Sequence, residues 1–110
     1  MGQAEVIGDA AAQLYAELWV SLASLLRSYT AAHGMHKNRR ATVEHDEQRI
    51  TAHHGGKWLE LRRQHATIVW TRENGDSGAL ELTEHGRLRD TAGEQELDMA
   101  AEAWARELMQ

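Results

Sequence analysis

Between Ala41 and Asp90 apolar and polar residues alternate, and short polar or glycine-bearing breaks cut the alternation into runs. A period of two places successive side chains on opposite faces, so the stretch reads as an antiparallel meander with one buried face. Hairpin loops fix register, and a slip of one residue would turn the apolar set to water. A two-residue loop at Asp46-Glu47 sets Val43 opposite Ile50. A turn at Gly55-Gly56 sets Ala52 opposite Leu59 and Ile50 opposite Leu61. A two-residue loop at Gln64-His65 sets Leu61 opposite Ile68 and Leu59 opposite Trp70. A longer loop around Asn74-Gly75-Asp76, about five residues, brings in Leu80 and Leu82, and a turn with Gly86 left-handed pairs Leu82 with Leu88. All these loops agree on one buried face, and the expectation is five or six strands.

The flanks carry helical periods. From Asp9 to His33, Leu14, Leu18, Leu22, Leu25 and Tyr29 recur at steps of three and four, and Tyr15, Trp19 and Leu26 widen that stripe. Asp9 reads as the N-cap or a first-turn residue, and Gly34 as the stop. Near the C-terminus Thr91 and Glu94 have capping-box spacing, and Leu97, Ala100 or Ala101, Trp104 and Leu108 follow at helical steps. One apolar sheet face and two apolar helix stripes are satisfied together when both helices lie on that face. The fold class is therefore α+β. Residues 1–8 are expected to form a flexible N-terminus, and 9–110 a single domain of helix, meander and helix.

Composition narrows the function classes. The chain of 110 residues has no cysteine, which excludes disulfides and thiolate metal sites. No run of about 18 apolar residues is present, and the N-terminus lacks the basic and apolar regions of a secretory signal. Met1-Gly2 resembles a myristoylation start, but Val6 stands where Ser or Thr is expected. The expected location is the cytoplasm, with no membrane partner. The formal charge of −5 disfavours nucleic acid, although Lys37, Arg39, Arg40, Arg49, Arg62 and Arg63 partly group near the first strands. No motif implies a cofactor or a catalytic constellation: there is no HEXXH, phosphate loop or dinucleotide fingerprint.

Two kinds of binding site remain. The breadth added by Tyr15, Trp19 and Leu26, together with Trp58 and Val69 on the otherwise charged, threonine-rich sheet face, points to a protein partner or a second copy of the chain. The expected function is a non-catalytic interaction or self-associating module. The alternative is a metal ion, iron or zinc. Seven histidines are present, and His45, His65 and His85 fall at one end of the meander with Asp46 and next to Glu44.

The order helix, meander, helix resembles frataxin. A glycine turn precedes KWLELRR, a short loop leads to the tryptophan-bearing IVW, and a glycine-containing loop leads to another strand. The resemblance implies a frataxin-like topology and a metal-binding or chaperone role. The frataxin family carries a dense acidic ridge on its first helix and strand, used for iron. The corresponding region here holds Asp9, Glu17, Glu44, Asp46 and Glu47, with Arg27, Lys37, Arg39 and Arg40 interspersed.

Overall fold

A computed structural model describes residues 2–35 and 40–110 and, within the first helix, side chains from Ala10 onward. Helix α1 (Gly2–Gly34) is followed by strands β1 (Thr42–His45), β2 (Arg49–His54), β3 (Lys57–Gln64), β4 (Thr67–Arg72), β5 (Ser77–Leu82), β6 (Arg87–Asp90) and β7 (Gly93–Glu96), then helix α2 (Leu97–Leu108). The strands form one antiparallel meander in sequence order, seven rather than five or six. The helical backbone begins at Gly2, ahead of the Asp9 start read from the sequence.

Both helices pack on one sheet face. Trp19, Leu22, Ala23 and Leu26 of α1 meet Ile50, Leu59, Leu61, Ile68, Leu80, Leu82 and Leu88 of the sheet and Leu97, Ala100, Ala101 and Trp104 of α2 in one buried cluster. The burial of these apolar side chains is the dominant driving force for the fold. Tyr29 donates its hydroxyl hydrogen to Asp98, and His33 Nε2 lies 2.7 Å from Glu102 Oε2. The two contacts advance together along both helices, so α1 and α2 run side by side in the same direction. The bond to Asp98 pushes the Tyr29 hydroxyl above its ordinary pKa.

The register differs from the expected one at two hairpins. Val43 pairs with Ala52 rather than Ile50. Asp46 is the cause. Its Oδ1 accepts the backbone N–H groups of Gln48 and Arg49 at 2.9 and 2.8 Å, and its own N–H donates to the Arg49 carbonyl at 2.9 Å. Asp46 thus begins the turn, and Glu47-Gln48 form its tip. In the third hairpin Leu61 pairs with Trp70 rather than Ile68, because His65 takes the left-handed conformation (φ 55) and moves the turn to His65-Ala66. The fourth loop is shorter than expected: Thr71 pairs with Ser77, and the Arg72 N–H closes on the Asp76 carbonyl at 2.9 Å. The first two differences are even-numbered, so every residue keeps its face. The Gly55-Gly56 turn and the Leu82 and Leu88 pair are as expected.

The largest departure is at Thr91. The expected capping box is instead a hairpin and strand β7. Asp90 Oδ1 accepts the N–H groups of Ala92 and Gly93 at 2.8 and 3.1 Å, and Gly93 takes φ 143, which favours glycine. Glu94 and Glu96 face Arg89 and Arg87 across the strands, and opposite charges at such positions stabilise the pairing. Helix α2 therefore starts at Leu97, with Glu96 in the cap position and no side-chain cap. Replacing Thr91 by alanine should change stability by less than about 0.5 kcal/mol in urea unfolding. A capping residue would cost about 1 kcal/mol.

Candidate functional site

With both helices on one side, the second sheet face is open. Its side chains follow from the pairings. Glu44, Thr51, Glu60, Thr71 and Ser77 form one row across the strands. Arg49, Arg62, Val69 and Ala79 form the next. Towards β7 the face is closed by ion pairs: Arg89 lies 2.8 Å from Glu81, and Arg87 lies 3.4 Å from Glu96.

The second row carries the unusual feature. Arg49 and Arg62 are direct cross-strand partners. Directly opposed like charges destabilise a sheet pair, so the sequence sets a local cost here. Glu60 relieves part of it. Its Oε1 accepts a hydrogen bond from Arg62 Nε at 2.9 Å, and its Oε2 lies 3.7 Å from Arg49 Nε. Both arginine side chains remain largely in water, at 52% and 62% exposure. Val69, beside Arg62, is 45% exposed. Gln48, Gln64 and Thr67 complete an open groove of about 700 Å³ with them.

The turn that borders this groove is held by the Asp46 hydrogen bonds. The Gln48 N–H, then the Arg49 N–H and the Arg49 and His45 charges, hold the Asp46 carboxyl below its ordinary pKa. On the other side of the sheet, Arg63 donates to the carbonyls of Glu47 and His65 at 2.8 and 3.1 Å and tethers both turns.

The residues singled out from the sequence are placed as follows. Trp19 and Leu26 are buried, and Tyr15 is packed against the core. Their breadth fills the space between sheet, α1 and α2. Trp58 and Val69 do not form one patch. The shifted third hairpin puts Val69 beside Arg62, whereas Trp58 lies beside His53. Four residues along β3, about 13 Å, separate the two rows. Trp58 lines a separate crevice of about 220 Å³ with Lys57, Arg72, Trp104 and Glu107.

The metal candidates are also dispersed. Glu44 and Asp46 lie on the open face, and His45 falls between them on the opposite face, opposite the buried Ile50. His65 and His85 lie in turns two strand spacings from their neighbours, about 10 Å. Among the described residues no three His, Asp or Glu side chains gather to hold a metal. Lys37, Arg39 and His36 lie outside the described residues. Glu60 and Glu81 on the open face are each engaged by arginine.

In the sequence Arg49 and Arg62 stand out only as members of a basic group near the first strands; their opposition emerges from the pairing. The Gly55-Gly56 turn was the available signal: once it fixes the β2–β3 register, the two arginines must face each other. Among the described residues, no helix is long and apolar enough to cross a membrane. Compared with protein-family models, curated proteins and solved structures, the chain gives no match.

Proposed function

We propose that this chain is a non-catalytic protein-binding module that works through the sheet face opposite its helices. The observation that carries this reading is the groove beside Val69, an apolar side chain 45% exposed in the middle of a sheet face that no helix covers. While it remains wet, Val69 adds little buried area to the core. A polar rim around a small apolar centre is the anatomy of a modest protein interface. On the helical side Trp19 and Leu26 are consumed in the core, and of the exposed Val20, Met35 and Met99 there, Met35 borders a smaller groove of about 430 Å³.

Site-specific photocrosslinking tests the proposal. A photoreactive residue at position 69 should trap a discrete partner in a lysate, or a second copy of the chain. The same group at Val20, half exposed on α1, should not. Crosslinks from position 20 alone would move the function to the helical side.

A further inference from the structure

We infer that the Arg49–Arg62 pair is a carboxylate clamp, so that the partner presents an extended segment rich in Asp or Glu. The inference rests on the open face being the docking surface and specifies the chemistry it recognises. Glu60 provides the evidence. A carboxylate of the chain itself already sits against the Nε edges of both arginines, at 2.9 and 3.7 Å. It is a resident stand-in for the ligand: one carboxylate hydrogen-bonds Arg62 and pairs at longer range with Arg49.

Glu60 does not exhaust the clamp. A guanidinium offers five N–H donors in a planar fork, and the terminal nitrogens of Arg49 and Arg62 have no hydrogen-bond partner among the described residues. A second carboxylate entering from the groove can accept from those edges, the geometry in which arginine binds carboxylate most strongly. It would also relieve the repulsion between the opposed arginines. Val69 lies next to Arg62 in the same row, so a peptide alternating acidic and apolar residues can place one of each. Polyphosphate fits less well, because its closely spaced charges would meet Glu44 and Glu60 beside the arginines, whereas a peptide alternating glutamate and valine brings one carboxylate to the pair at a time.

The test is titration of the full chain with a fluorescein-labelled peptide that alternates glutamate and valine. Its glutamine counterpart and a single-stranded oligonucleotide serve as comparisons. Saturable binding of the glutamate peptide is expected, weakening as salt rises. Arg49→Ala and Arg62→Ala should each reduce affinity at least tenfold. Glu60→Gln should increase it severalfold, because the negative charge that repels an incoming carboxylate beside the arginines is gone. Equal binding of the glutamine peptide, or binding unchanged in both arginine variants, would overturn the clamp. Arginine-dependent binding of the oligonucleotide in place of the peptide would overturn it as well, as would weaker binding by Glu60→Gln. Failure of the peptide with crosslinking from position 69 intact would remove the clamp and leave the docking face standing.

Discussion

Replacing Trp19 by alanine should destabilise the protein by about 3–5 kcal/mol, the range for removing a large aromatic from a packed core. Trp19 is 1% exposed and contacts the cluster formed by both helices and the sheet. Its indole N–H donates to the Asp46 carbonyl at 2.8 Å, and the Arg63 guanidinium lies 5.7 Å from its ring centre. The substitution therefore opens a cavity and removes the contact that fastens α1 to the first hairpin. Urea unfolding followed by circular dichroism measures the loss. A change under about 0.5 kcal/mol would be the behaviour of a surface side chain, and would contradict the placement of Trp19 in the core.

Gly78→Ala should cost about 1–3 kcal/mol by overpacking. Gly78 is the direct cross-strand partner of Trp70. A Cβ at position 78 would stand 2.6 Å from Trp70 Nε1 and 2.7 Å from Cε2. The ring has little freedom to retreat, since it packs on the core cluster and the Arg72 guanidinium lies 4.9 Å from its centre. The cost should depend on that ring. In a double-mutant cycle, Gly78→Ala should be nearly neutral when Trp70 is already leucine, giving a coupling energy above about 0.5 kcal/mol. Additive effects would show that the glycine is needed for some reason other than the tryptophan.

The sequence made the two-faced sheet legible because parity survives errors of register. Displacing Val43 from Ile50 to Ala52 leaves it among the same buried neighbours. The same tolerance hid the site. Which outward side chains meet depends on register to the residue, and the turns at Asp46 and His65 were each misplaced. Asp46 was read as loop tip, whereas its carboxylate organises the turn from the first position. His65 adopts a left-handed conformation that its residue type allows but does not demand.

Strand β7 was missed for a different reason. Gly93 to Glu96 is exposed throughout and carries no apolar alternation. Its pairing comes from the Asp90 turn and from cross-strand charges, while Thr91 and Glu94 offered a local helix signal. Long-range pairing prevailed over the local motif. The width of the α1 stripe had two physical explanations, an interface or a shared groove. Only the position of α2 distinguishes them, and it packs Ala101 and Trp104 into the same cluster as Leu26.

The central claim is that the open sheet face, rather than the helical side, receives the partner. Paired photocrosslinking from positions 69 and 20 addresses it most directly, since both residues are exposed and lie on opposite sides of the sheet. The account predicts a discrete adduct from position 69, reduced when Arg49 and Arg62 are both alanine, and none from position 20. An adduct from position 20 with none from position 69 would contradict it.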